Sequence, residues 1–454
     1  MKAEEQRATY TATQATAPAE WPMVPFEQVA IPQSDRGKRI KQRDYLPEGR
    51  IPVIDQGQTL IGGYTNDEDS AFLGELPVIL FGDHTRTVKL VDYRFAVGAD
   101  GIKVFRTAEG VRPKYLYYWM KSARIPNRGY GRHYQYLRQL SVPLPPPNKQ
   151  DKIVAEIEKQ FSRLDEAVAN LKRVKANLKR YRAAVLKAAV EGRLVETEAE
   201  LARREGRSFE TGAQLLQRIL ETRRKEWKGK GKYKEPAAPD TTALPELPEG
   251  WVWASLDQLT TQIADVDHKM PKLFEGGIPY ISTKDFTGES EIDFDGAKRI
   301  SPSDFEALCK KVRPVRGDIL LSRYGTVGEV RTVETDMPFQ ASYSVAILKP
   351  VRGEWHTGYL STCLKSEIIQ TQIKRDVRAT AQPDLGLAHI RQFLVPVAPV
   401  DEQHRIDAEI DLRLSLLRET EAQVDANIKR VEFFRRSMLA KAFSSVSAKL
   451  SSEK

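Results

Sequence analysis

The sequence predicts an α+β chain: two mixed α/β globular domains joined by two long antiparallel helices, an intramolecular coiled coil with pseudo-twofold internal repetition. Three observations predict it. A helical stretch from Asn148 to Gly192 is written a second time from Asp401 onward, without a gap, at an offset of 253. Each copy follows a stretch of short apolar runs broken by Gly, Pro and Asp. Those two stretches also align with each other in order, at offsets of 230 and 227 near the start that reach 253 at the end. A repeat of this kind makes each copy one structural unit.

Residues 1–20 are polar, lack the apolar core of a signal peptide, and read as a mobile tail. From 21 to 147 the runs IPVID, LPVILF, VKLVDY and DGIKVF have strand character. A short helix from Tyr115 to Ser122 and the loop RGYGRHYQYLR complete the first globular domain. Residues 148–192 then place Ile153, Ile157, Phe161, Leu164, Val168, Leu171, Val174, Leu178, Tyr181 and Val185 in steps of three and four, one helical stripe. Neither long copy has an interior Pro or Gly, and each starts after prolines at Asn148 or Asp401, side chains that cap a first turn.

At 1.5 Å per residue such a helix is about 67 Å long, too long for a compact core. The natural partner of one stripe is therefore the other. The expected seam is Ile157, Phe161, Leu164, Leu171 and Leu178 against Ile410, Leu414, Leu417, Val424 and Val431. Glu421 and Asn427 replace Val168 and Val174 in the second copy, which weakens the seam and can fix its register. Two separate surface helices would explain each stripe but not its repetition.

Residues 193–249 form a charged helical segment, broken at Gly206, and a Lys/Gly and Pro/Ala-rich linker. Residues 250–400 repeat the first domain: Trp21 matches Trp251, GRIPVI matches GGIPYI, PVILFGDHT matches DILLSRYGT, and Arg138-Gln139 matches Arg391-Gln392. The rising offset implies insertions in the second copy, between strands and before its long helix. Residues 401–446 are that helix, and 447–454 a C-terminal tail.

With 454 residues and 41% hydrophobic content the chain has material for two or three cored domains. Its balance is basic, 71 Lys and Arg against 62 Asp and Glu, which favours a polyanionic partner. Cys309 and Cys363 are the only cysteines, so neither a disulfide framework nor a cysteine zinc site can be built, as fits a reducing cytoplasm. No apolar run approaches a membrane span.

Two similar domains on two similar helices make a ruler carrying two readers, and duplex DNA fits that geometry, since readers on one face need sites about one helical turn, roughly 34 Å, apart. Domains that share a framework but differ in sequence predict an asymmetric two-part target with an unread spacer. The order of domains, the helix openings VPLPPPNKQDKIVAEIE and VPVAPVDEQHRIDAEI, and the segments LPEGWVWASLDQL and GDILLSRYGTVG resemble the specificity subunit of type I restriction-modification systems, over about Trp21 to Val446. The resemblance implies that each globular part is a target recognition domain and each long helix a spacer. It also implies partners: double-stranded DNA, two methyltransferase (modification) subunits docked on the helices, and motor-nuclease (restriction) subunits. S-adenosylmethionine, ATP and Mg are then expected on those partners, with no cofactor on this chain.

Catalytic motifs point the same way. A methyltransferase needs a glycine-rich cofactor loop and an Asn/Asp-Pro-Pro-aromatic motif, and a translocase needs GxxxxGK[ST]; none is present. Asp384 and the carboxylates near Glu329 and Glu334 do not form a metal-nuclease set, and the six histidines show no ligand spacing. The expectation is a non-catalytic chain; a coiled-coil scaffold with two protein-binding domains is the rival reading.

Candidate DNA contacts are His84, Thr85 and Arg86 after a predicted strand, where an ordinary surface turn is the alternative. The loop Arg128, Tyr130, Arg132, His133, Tyr134 and Gln135 interleaves cations with rings between glycines, a composition suited to groove contact. By the repeat, the second domain offers Ser322, Arg323, Tyr324 and Thr326, with the loop Arg378, Thr380 and Gln382. Phosphate candidates are Arg36, Lys38, Arg39, Lys269, Lys272 and Lys284, against a solvated surface as alternative. Lys172, Arg173, Lys175, Lys179, Arg180, Arg182 and Lys187 form a basic run on the first long helix, facing either the spacer or a modification subunit.

Overall fold

The computed structural model describes residues 21–444 apart from 36–37, 99–100, 127–128, 130, 228, 230, 269 and 379–382. Residues up to Arg173 together with those from Val424 onward form one compact unit; Val174–Gln423 form the other.

In the first unit the strands are β1 (Met23–Pro25), β2 (Ala30–Gln33), β3 (Ile51–Ile54), β4 (Gly63–Thr65), β5 (Val78–Gly82), β6 (Val88–Val91), β7 (Ala96–Val97), β8 (Ile102–Thr107) and β9 (Ser141–Pro143). Four of them form an antiparallel sheet in the order β2-β8-β5-β6. Another three run β4-β3-β7, with β3 and β7 parallel, and β1 pairs with β9. Strand β5, VILFG, is buried throughout, as a continuous apolar run requires of a strand covered on both faces. Because alternate side chains point to opposite faces, Ile79 and Phe81 enter a core with Tyr115, Leu116 and Trp119 of the helix Pro113–Ser122. Val78 and Leu80 enter a second core with Ile54, Phe95 and Val97.

The first long helix runs Pro147–Val190 and the second Val400–Ser444. In the first unit Val154 and Ile157, near the start of one, are buried with Leu439 and Phe443, near the end of the other. The helices are antiparallel there. Arg435 pairs with Asp165 and lies 5.5 Å over the Phe161 ring.

In the second unit the strands are β10 (Val252–Ser255), β11 (Thr260–Ala264), β12 (Ile278–Ile281), β13 (Phe286–Thr287), β14 (Glu291–Ile292), β15 (Lys298–Ile300), β16 (Ile319–Ser322), β17 (Val330–Thr332), β18 (Gln340–Ala341), β19 (Val345–Pro350) and β20 (Leu394–Val397). Its sheets run β11-β19-β16-β17, β15-β12-β18 and β10-β20, strand for strand the order of the first unit. The parallel pair recurs as β12 and β18. Inserted residues form the hairpin β13-β14 and the helices Pro302–Cys309 and Glu367–Asp376, between strands and before the long helix. Val185 and Ala189 of the first long helix are buried with Ile406 and Ile410 of the second, again start against end.

Two glutamines that match in the repeat explain why they match. Gln150, fully buried, accepts the Arg112 amide at 2.8 Å and donates to the carbonyls of Gly110 and Pro145 at 3.0 and 2.8 Å. Gln403, also fully buried, accepts the His356 amide at 3.0 Å and donates to Ala398 O at 2.8 Å. Each clamps the start of a long helix to the helix and strand before it. Tyr115 and Tyr359 add the same bond in each unit, hydroxyl to the carbonyl of Pro143 at 2.5 Å or Pro396 at 2.9 Å.

One expectation needs correction. Val174 and Tyr181 belong to the apolar stripe but are 40% and 48% exposed, as is Phe434 at 48%. A helix facing one partner buries a narrow seam, and a 3.6-residue turn carries a stripe of ten apolar positions past its edge. Ile157, Ile410, Leu417 and Val424 are buried; Phe161, Leu164, Leu171, Leu178, Leu414 and Val431 are half-buried. In the charged helical segment, Glu198–Glu205 and Gly212–Lys225 are helices, and Gly206 ends the first of them. Capping boxes at Thr197/Glu200 and Thr211/Gln214 start two helices, and Leu215 and Ile219 enter the core with Trp251, Leu256 and Leu259.

Candidate nucleic-acid interface

In both units the candidate loops hang from one structural point, the residue that follows the buried central strand. In the first unit β5 ends at Gly82, and the chain turns through Asp83–Thr87 into β6, closed by bonds from the Gly82 amide to Thr87 O and from the Arg86 amide to Gly82 O, both 2.8 Å. Arg86 takes the left-handed backbone at φ 60, an uncommon conformation for a side-chain-bearing residue. Its guanidinium donates to Ile125 O at 3.2 Å. Asp83 is buried, and it ties down the second loop: its carboxylate accepts the Tyr134 amide at 2.7 Å and its carbonyl the His133 amide at 2.9 Å.

His133 is therefore corrected from a contact residue to a positioning one. Its ring is fully buried, with Nδ1 2.8 Å from Asp83 O. Tyr134 is half-buried, its ring 5.6 Å from Phe105 and Lys103 Nζ 5.6 Å from its centroid. Thr85, Arg86, Arg132 and Gln135 are exposed and His84 half-buried. Arg128 and Tyr130 lie outside the described residues.

In the second unit β16 ends at Ser322, and the next residue, Arg323, has the anchoring role with the opposite charge. Its guanidinium reaches Asp265 at 2.7 Å, Asp384 at 3.3 Å, and the carbonyls of Leu385 and Tyr343 at 2.9 and 3.3 Å. The Leu385 amide returns to Arg323 O at 2.9 Å, the counterpart of the His133 bond to Asp83. Ser322 and Arg323 are buried, at 0% and 5% exposure, and the Ser322 hydroxyl accepts the Glu329 amide at 2.8 Å. Neither side chain can reach a base edge, so both are corrected to positioning residues. A buried guanidinium persists only when its charge and donors are matched, which Asp265 and the two carbonyls achieve.

Above Arg323 stands an aromatic cluster that the sequence reading did not find. Arg323 lies 4.4 Å over the Tyr324 ring, His268 stacks on Tyr343 at 4.6 Å, and Tyr324 meets both edge-on at 5.5 Å. His268 is exposed, and Tyr324 and Tyr343 are half-buried. Nothing in the local sequence around His268 or Tyr343 marks them, because the cluster joins strands and loops far apart in the chain. Arg378 is exposed, its amide bonded to Asp384 O at 3.0 Å. Thr326 and Lys284 are exposed; Thr380 and Gln382 lie outside the described residues.

Of the phosphate candidates, Lys38 and Lys272 are exposed, and Arg36 and Lys269 fall outside the described residues. Arg39 is held by Asp35 at 2.5 Å and by Ile102 O at 3.1 Å, so it braces the domain. Along the basic run Lys172, Arg173, Lys175, Lys179, Arg180 and Lys187 are exposed. Arg182 is corrected: its side chain is only 14% exposed, paired with Glu289 and, at 3.5 Å, with Glu421. Burial pulls its guanidinium below the usual arginine range. Among the described residues no His, Cys, Asp and Glu side chains converge as a metal site, and no helix is long and apolar enough to cross a membrane.

Residues 248–427 match the family described as type I restriction modification DNA specificity domain. The chain is 25% identical over 313 residues to the type I restriction enzyme EcoBI specificity subunit of Escherichia coli, covering 68% of this chain and 58% of that relative. It is 22% identical over 360 residues to the EcoDI specificity subunit of the same organism, covering 73% and 70%. The alignment thus spans rather more than half of the EcoBI subunit. A solved chain from work on complex assembly and conformational transition of the type I R-M system superposes with a TM-score of 0.55 at 17% identity, over 94% of this chain and 99% of that one, a likeness of fold. In its repeated domains, its two long helices and these matches, the chain is similar to the specificity subunits of type I restriction-modification systems.

Proposed function

We propose that this chain is the sequence-reading subunit of a type I restriction-modification complex: it recognises a bipartite, asymmetric DNA site and directs methyltransferase and endonuclease subunits to it. The observation that carries the reading is the repeated tip. Two domains of one topology hang a candidate loop from the same position, yet anchor it through a carboxylate, Asp83, in one case and a guanidinium, Arg323, in the other. Equal frameworks with unequal tips are what two readers of unequal half-sites need, because frameworks position and side chains at groove edges specify. The long helices set the spacer and dock two modification subunits, which carry S-adenosylmethionine, while ATP and Mg serve the motor-nuclease subunits. The chain itself supplies recognition rather than catalysis.

Co-expression with a modification subunit, followed by genome-wide mapping of methylated positions, tests this. The expected result is one motif of two unlike halves with a fixed gap and a modified base in each half. A stable complex that leaves no motif would point to the scaffold reading.

A further inference from the structure

Beside the turn Asp83–Thr87, the first unit has an open cleft of about 750 Å³. It lies between strand β6, the end of the helix Pro113–Ser122, and Arg436 of the second long helix. Among the described residues four cations line it, Arg86, Lys89, Lys121 and Arg436, with the hydroxyls of Thr85, Thr87 and Tyr117, and no carboxylate does. Lys89 forms the floor, 3.5 Å from Asp55 and bonded to Leu60 O at 3.3 Å. Arg86, Lys121 and Arg436 are exposed.

The second unit has the counterpart cleft, and there two of the four lining cations, Arg182 and Arg331 but not Lys365 and Arg418, are paired with lining carboxylates. Lys365 stands where Lys121 stands, at an offset of 244. Glu289 and Glu329 enter the lining, pairing with Arg182 and, at 3.1 Å, with Arg331. The inserted hairpin β13-β14 also caps Arg331, which donates to the carbonyls of Gly288 and Glu291 at 3.0 Å. One fold position thus carries two carboxylates against its four cations in one unit and, among the described residues, none against its four in the other.

We propose that the cleft of the first unit binds phosphates of a DNA backbone, with Lys121 and Arg436 as contacts that no sequence motif marks. The inference rests on the DNA-recognition reading and adds a point to it: the end of the second long helix grips the duplex next to the first domain. Guanidinium and ammonium groups interleaved with hydroxyls, with no carboxylate to repel it, suit a phosphodiester. Thr85 and Arg86, at the rim, continue the cleft into the tip that reads bases. Contacts of this kind position without specifying, so they appear in salt dependence rather than in the motif.

The test uses the full chain in complex with its modification subunits and two probes, mixed-sequence duplex DNA and poly-L-glutamate, each titrated across a salt series. Lys121→Ala with Arg436→Ala should make the log affinity against log salt slope for duplex DNA shallower by about 0.9 for each contact removed. The methylated motif should be unchanged. Lys121→Arg with Arg436→Lys should restore the slope, and Arg94→Ala, at a surface arginine paired with Glu68 and absent from the cleft lining, should leave it alone. An unaltered slope in the double alanine variant overturns the proposal. So does weakened polyglutamate binding with an unaltered duplex slope, which would assign the cleft to an acidic polypeptide. If the wild-type complex shows no duplex binding, the recognition reading itself falls.

Discussion

Arg323 shows how much one buried side chain decides. Its fork holds Asp265, Asp384 and two carbonyls together, and a lysine cannot reproduce that planar geometry. Arg323→Lys is therefore expected to relax the half-site read by the second domain and to leave the other half intact, as methylation mapping would show. Arg323→Ala leaves the buried Asp265 with Lys311, 3.5 Å away, as its remaining cation and should cost about 3 kcal/mol in chemical denaturation of the chain. Glu402 acts through protonation. It is fully buried at the start of the second long helix and accepts the Glu198 amide at 2.9 Å and the Trp251 indole N–H at 3.2 Å. Desolvation raises its pKa above the ordinary carboxyl value. As pH rises, the unfolded side chain ionises first while the folded one keeps its proton, so stability declines until the pH passes the folded value. Melting temperatures measured against pH should show that decline, and Glu402→Gln should flatten it.

At the scale of elements, the glutamine clamps make each long helix continuous with the domain before it. Gln150→Ala leaves the Arg112 amide and the Gly110 and Pro145 carbonyls without that partner. The expected loss is about 3 kcal/mol, read by denaturation, with Gln403→Ala costing a comparable amount. Both glutamines were legible in the sequence as matches 253 positions apart, and so were the strands, since the offsets at IPVI, PVILF and LYYWMKS fall on β3, β5 and the helix Pro113–Ser122. The width of the helix seam was not legible: periodicity marks Val174 and Tyr181 as apolar but does not say how far a single partner reaches. At the tips, sequence located the loops and misassigned side chains within them. A polar residue after a strand points outward or inward according to its partner, and Asp265 lies 58 positions from Arg323. Asp83 and His133 are likewise joined across 50 positions.

At the scale of the whole molecule, the proposed function makes the two domains interchangeable readers on a repeated frame. Their sheets share one strand order, and their clamps and tip attachments recur at matching positions. The two carboxylates that enter the second unit's cleft, where the lining of the first unit's cleft has none among the described residues, are the clearest departure from that equivalence. The most direct test replaces residues 250–400 with a second copy of residues 21–147, co-expresses the product with the modification subunit, and maps methylation genome-wide. Circular dichroism and co-purification would first establish that the hybrid folds and assembles. The expected motif is symmetric, the first half-site repeated in inverted order around a gap. Persistence of the original second half-site in a folded, assembled hybrid would contradict it.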